Sequence, residues 1–183
     1  MVEPREANRA ATEQALGRFF VSFSGLEREI GEAVKVVLSA KEPADLLVAA
    51  LGDFTRKVNT VKAAIEHAQS VDRKPVTEEC KNYTRDTMND CLKIKDEWRV
   101  LLAHASLQIE ENGDLKVRHL TISGGKFEPK EDTKTAAELQ TAASSIDSLI
   151  ERIRASTREL TTLVFTIPSQ NLFLSTASRD LTH

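Results

Sequence analysis

Apolar side chains recur at three- and four-residue steps through four long stretches of the chain. Phe19, Phe23, Leu26, Ile30, Val34 and Val37 form the first stripe, a spacing that places them on one face of an α-helix. Residues 4–18 are rich in Ala and Glu and extend this helix with a weaker apolar face. A break is expected at 39–43, because Pro43 disfavours helical geometry at Glu42 yet suits the first turn of a new helix. The second stripe runs through Leu47, Leu51, Phe54, Val58, Val61, Ile65 and Ala68. After a turn at 70–75, Thr77 followed by Glu78 and Glu79 marks a helix start with acids in its first turn. The third stripe holds Thr84, Met88, Cys91, Ile94, Trp98 and Leu101.

The period then changes to two. Leu107 and Ile109 alternate with polar residues, Asn112-Gly113 supplies a turn, and Leu115 and Val117 alternate on the return, which predicts a β-hairpin over about 106–122. The phase slips at His119-Leu120, where a bulge or bend is expected. Gly124-Gly125 permits another reversal before Phe127. Thr135 to Glu138 reads as a capping box opening the last helix, which continues through Leu139, Ala143, Ile146, Ile150, Ile153, Thr157, Leu160 and Val164 until Pro168. The pattern predicts an all-α fold, an antiparallel four-to-five-helix bundle with a small β-hairpin inserted between the last two long helices. Its parts are an N-terminal helical extension over 1–18, a bundle over 19–164 with the insertion at about 106–128, and a tail over 165–183.

Composition narrows the function classes. A chain of 183 residues, 40% hydrophobic and 29% charged, fits one soluble domain with one core. With 25 Lys and Arg against 28 Asp and Glu, the formal charge of -3 gives no wholesale grip on nucleic acid, so any phosphate contact has to be local. The apolar run at 46–51 is too short to span a bilayer, and the opening Met-Val-Glu-Pro-Arg-Glu lacks the basic start of a secretory signal. A cytoplasmic protein without a membrane partner is expected. Cys80 and Cys91 stand eleven residues apart on one predicted helix, roughly 16 Å along its axis, so they read as packed thiols rather than a disulfide. The four histidines, His67, His104, His119 and His183, are scattered, and neither a metal site nor any cofactor is expected.

One stretch can carry chemistry, Asp96-Glu97-Trp98-Arg99-Val100-Leu101-Leu102-Ala103-His104. On a regular helix the step from Arg99 to His104 leaves their side chains roughly 140° apart, with core residues between them. A bent helix, or a second chain alongside, is needed for them to converge.

This stretch resembles the signature of HEPN domains, helical bundles whose motif is an Arg, four to six residues, then a His. The order of other pieces is similar too: Phe23-Ser-Gly-Leu26-Glu27, Phe54-Thr-Arg-Lys57, the hairpin, and the opening of the last helix at Thr135 to Leu139. The resemblance covers roughly residues 19–164. It implies a homodimer in which two Arg/His pairs share a cleft, and a metal-independent endoribonuclease or an RNA- or nucleotide-binding protein. His104 would be the general acid/base for the 2′-hydroxyl or the leaving 5′-oxygen. Arg99 would stabilise the charge that builds on the phosphate oxygens. Glu97 matches an acid often present in the family and would orient Arg99. Single-stranded RNA is the implied ligand, and the resemblance also admits an antidote protein as a partner. The chain departs from the family at Val100, where active members commonly have a polar residue and valine offers no hydrogen bond.

A competing reading is a non-catalytic interaction module, with Arg99 and Glu97 as solvated flanks of an amphipathic helix and His104 as a helix-terminal histidine. Elsewhere, His119 with Arg118 and Lys116 would add local positive charge beside a phosphate chain. Trp98 and Tyr83 could stack on bases, but Trp98 falls on the apolar stripe, which favours core packing.

Overall fold

Helix α1 (Pro4–Val37) runs unbroken for 34 residues, about 50 Å at the rise of an α-helix. The structure is a computed structural model and describes residues 4–38, 48–67, 76–123 and 126–165. The expected breaks at 39–43, 70–75 and 124–125, Pro168, and all but the first residue of the tail lie outside that set. Helix α2 (Phe54–His67) begins later than the apolar stripe suggests. Gly52 adopts φ +69, a left-handed geometry that stops the helical turn before it. The Asp53 carboxylate then accepts the Arg56 amide at 2.9 Å and starts α2 afresh.

Helix α3 (Glu78–Ile94) opens on Thr77, whose hydroxyl accepts the Cys80 amide at 3.2 Å. It does not pass straight into the next segment. Residues Lys95–Arg99 form a π-helical turn in which the Val100 amide donates to the Lys95 carbonyl, five residues back. A short helix, α4 (Val100–His104), comes after it and ends where Ala105 turns extended.

Three strands come next, β1 (Ser106–Ile109), β2 (Leu115–Ser123) and β3 (Lys126–Lys134), paired antiparallel in the order β1-β2-β3. The hairpin and its turn stand as the alternation predicts: the Gly113 amide donates to the Glu110 carbonyl at 3.0 Å, with Gly113 at φ +93. The inserted element is nevertheless a three-stranded sheet, larger than the expected hairpin. Strand β3 reads Lys-Phe-Glu-Pro-Lys-Glu-Asp-Thr-Lys, a run poor in β-formers that takes its conformation from pairing with β2. Its charges and Pro129 suit an edge strand. Nor does β2 bulge at His119. Its register with β3 is continuous from Leu115↔Lys134 to Ser123↔Lys126, so His119 holds the inward phase of Leu115 and Val117 while Leu120 points outward, 68% exposed. Helix α5 (Ala136–Phe165) opens on the expected capping box, with Glu138 accepting from the Thr135 amide at 2.7 Å and its own amide donating to the Thr135 hydroxyl at 3.2 Å.

The order of contacts fixes helix direction. Arg18 and Ser22 reach Asp147, and Arg154 reaches Glu29, so α1 and α5 run the same way. Phe23 stacks on Phe54 and Glu27 pairs with Lys57, so α2 runs with α1 as well. Helix α3 opposes them: Lys95 donates to Thr55 and Lys62 to Asn89 on α3, and Asp90 binds Arg152 on α5. The bundle is therefore helix-dominated but not antiparallel throughout. The segment of 38–53 between α1 and α2 is long enough to cross the bundle. The helices share one core, in which Phe19, Leu26, Ile30, Met88, Leu139, Ile146 and Ile153 are fully buried together with Leu115 and Val117 of β2. Each such side chain contributes about 1.5–3 kcal/mol on leaving water. Cys80 and Cys91 are buried, unpaired thiols. Among the described residues no helix is long and apolar enough to cross a membrane.

Candidate functional site

The three residues read from the sequence face three different surroundings. Glu97 lines a shallow groove toward α5, together with Lys93, Ser145, Ser148 and Arg152. Arg99, half-buried, sets its guanidinium 5.7 Å from the centre of the Phe23 ring, a cation–π contact strengthened by partial desolvation. Phe23 is backed by Phe54 at 5.1 Å and Phe19 at 6.2 Å, so this arginine rests on an aromatic wall of α1 and α2. His104, exposed in the last turn of α4, opens instead on a cleft between that helix and the sheet. Within the chain Arg99 and His104 thus meet different surroundings, and Glu97 lines a different groove from either.

Arg99 and His104 diverge by the step of a regular helix, and the π turn ending at Arg99 sets which surroundings the two meet. A π turn holds roughly one residue more per turn than an α-helix, so it rotates the helix on its C-terminal side by about 100° relative to the helix on its N-terminal side. That rotation falls between Ile94, still buried among the core residues, and Val100, which is 43% exposed. Trp98 stays within the core margin, 6.1 Å from Phe19, and its outer side carries the Lys134 ammonium at 5.1 Å. Tyr83 is exposed on α3, with the Arg152 guanidinium 5.7 Å from its ring.

The cleft that holds His104 has a volume of about 600 Å³. Its helical wall is Asp96, Val100, Leu101 and His104, and its sheet wall is Arg118, His119, Leu120 and Pro129. Strand β1 pairs with β2 only as far as Arg118, so beyond it the edge of β2 is left open to the end of α4. Arg118 donates from Nε to Glu131 at 2.9 Å, and Lys116 binds the same carboxylate at 2.6 Å. The hydrogen bond from Lys116, then that from Arg118, holds the Glu131 carboxyl below the usual carboxylate range. Asp96 is matched by Lys95 at 2.8 Å. His119 is mostly covered, its side chain 19% exposed, and its Nδ1 is buried without a hydrogen-bond partner. The nearest acid, Asp132, stands 3.8 Å from that nitrogen.

Chemically the cleft offers two imidazoles and a guanidinium against one acid that already has a lysine. That set suits an anion of phosphate size. Among the described residues no group of three or more His, Cys, Asp or Glu side chains could hold a metal ion. The sequence marks Arg118 and His119 only as local positive charge. Their meeting with His104 depends on the reversal at Ala105 and on the β2 register, which no local pattern encodes. Asp132 carries no sequence signal, since it lies in the strand that the pattern misses. Comparison with family models, with curated proteins and with solved structures finds no match for this chain.

Proposed function

We propose that this chain is a HEPN-like protein that binds RNA or nucleotides as a homodimer, with metal-independent endoribonuclease activity as the sharpest form of that role. The observation that carries the proposal is the exposed His104 opening on a cleft beside Arg118 and His119. In the proposed reaction, His104 takes the 2′-hydroxyl proton as that oxygen attacks phosphorus, and the second copy's His104, as imidazolium, gives its proton to the leaving 5′-oxygen, yielding a 2′,3′-cyclic phosphate and a 5′-hydroxyl. Arg99 of a second copy, approaching across a two-fold axis, stabilises the phosphorane oxygens that its own protomer's His104 cannot share with it. The test is cleavage of labelled single-stranded RNA in the presence of chelator. His104→Ala is expected to lose about 10²–10⁴-fold in rate. Arg99→Ala is expected to lose as much, and light scattering should find a dimer. Equal cleavage by all three proteins, or a monomer at every concentration with full activity, overturns the proposal.

A second reading, a non-catalytic interaction module, is favoured by a specific observation. Val100 and Leu120, 43% and 68% exposed, rim the same cleft, and exposed apolar side chains of this size mark docking surfaces when clustered. Salt-insensitive dimerisation abolished by Leu120→Lys, with no RNA cleavage or binding, would select this reading.

A further inference from the structure

We infer that His104, Arg118 and His119 of a single protomer form one phosphate-binding site that takes up a proton with its ligand. The inference rests on reading the cleft as a phosphate site, and it assigns His119 a role that the Arg99/His104 pair leaves out.

His119 is the anomaly that motivates it. Two residues before it, Val117 is fully buried, and Leu115 before that is 1% exposed, so a third apolar side chain would continue the inward row. An imidazole stands there instead, with Nδ1 buried and unpartnered. Such a nitrogen is rare in a folded protein and unfavourable unless something else uses the ring. His119 also lines the cleft that His104 and Arg118 line. Protonation gives the ring a counter-charge: Asp132 stands 3.8 Å from Nδ1, an ion-pair separation rather than a hydrogen bond, and the imidazolium would add positive charge to the cleft.

The surrounding charges are compatible with this. From the π turn, Asp96 faces the cleft but is paired with Lys95; from β3, Lys130 is the ladder partner of His119, and Asp132 stands two residues on. Glu131 occupies the Arg118 Nε and anchors that side chain. Imidazoles gain their proton within the range from about pH 5 to 8, so binding should strengthen as pH falls. The shared chemistry is a phosphate group, whether free or within a nucleic-acid backbone.

The experiment tracks the histidine ring resonances of the full chain by NMR, assigned with His104→Gln and His119→Gln, at constant ionic strength. The probes are inorganic phosphate, sulfate and a single-stranded 2′-deoxy oligonucleotide without terminal phosphates. With phosphate, both rings are expected to move on one saturable curve, and sulfate, an analogue whose charge does not change between pH 6 and pH 8, is expected to bind about tenfold tighter at pH 6 than at pH 8. Arg118→Ala should weaken binding and His119→Gln should remove most of the pH dependence. If phosphate moves neither ring, moves only one, or does no more than chloride, the site is overturned. Phosphate binding without oligonucleotide binding keeps this site and removes a nucleic-acid backbone lacking the 2′-hydroxyl as its ligand. Oligonucleotide binding that requires Arg99, with no response to phosphate, keeps the RNA reading and overturns this site. Should a variant fail to fold, the ring is assigned in the wild type from its through-space contacts to neighbouring residues, and the wild-type titration then decides the main point.

Discussion

Replacing Gly113 with alanine tests how the sheet is attached to the bundle. Gly113 sits at φ +93, where an L-residue is strained by about 1–2 kcal/mol. The added Cβ would also fall 2.5 Å from the Cβ of Asn8 and 3.0 Å from its carbonyl carbon, distances that only a displacement of α1 or the turn can relieve. Overpacking of this kind costs about 1–3 kcal/mol. The displacement would strain two links as well, since the Thr12 hydroxyl donates to the Gly113 carbonyl and the Asn8 amide to that of Asn112. A total of about 2–5 kcal/mol is expected, a large share of the roughly 5–15 kcal/mol that holds a domain of this kind together. Gly52→Ala is the matched control: φ is +69 there, but among the described residues no atom beyond its chain neighbours lies within 4 Å of the new Cβ, so the backbone strain of about 1–2 kcal/mol is what applies. Urea unfolding monitored by far-UV circular dichroism, with linear extrapolation, measures both. Equal losses for the two variants would refute the close approach of the turn to α1.

Two further outcomes concern buried thiols and a helix cap. Burial pushes the Cys91 thiol up to about 12, and burial likewise raises Cys80; since the thiolate is the nucleophile, both should resist a disulfide reagent in the native protein and react once urea is added, whereas rapid labelling of the native chain would contradict the packing. The Thr135 backbone amide, then its hydroxyl, holds the Glu138 carboxyl below its ordinary 4.5, so the cap contributes stability above that value and loses it as pH falls through the lowered one. Thr135→Ala should cost about 1 kcal/mol at neutral pH. The gap between wild type and Glu138→Gln should close in acid, and a gap independent of pH would refute the capping role.

Local features were legible in the sequence, and relational ones were not. Thr77 and Thr135 cap helices because each hydroxyl needs only its own next turn, and the hairpin arises from alternation around Asn112-Gly113. The start of α2 was concealed, because Leu51 and Phe54 keep the helical spacing across a glycine whose left-handed geometry breaks the helix. Strand β3 was concealed because its conformation is imposed by β2 rather than by its own residues. The shared direction of α1, α2 and α5 depends on where the connection at 38–53 travels, and amphipathic stripes carry no sign of direction. At the candidate site the divergence of Arg99 and His104 was legible from helix geometry. The π turn and the gathering of His104 with Arg118 and His119 were not, since both arise from long-range packing.

The common direction of three long helices leaves the molecule electrically lopsided along its length. Each α-helix carries about half a positive elementary charge at its N-terminus and half a negative one at its C-terminus. Helix α1 contacts the hairpin turn through its first turns, α2 starts where Thr55 meets Lys95, and α5 starts directly after β3. Three positive poles therefore lie toward the sheet, opposed among the described residues by the C-terminal end of the run from α3 through α4, an imbalance of about one elementary charge. On a chain whose formal charge is -3, this offsets the acidic balance of the sheet region, which carries Glu110, Glu111, Asp114, Glu128, Glu131 and Asp132 against Lys116, Arg118, Lys126, Lys130 and Lys134. Salt that shortens the screening length to about 8 Å should erase most of that contribution.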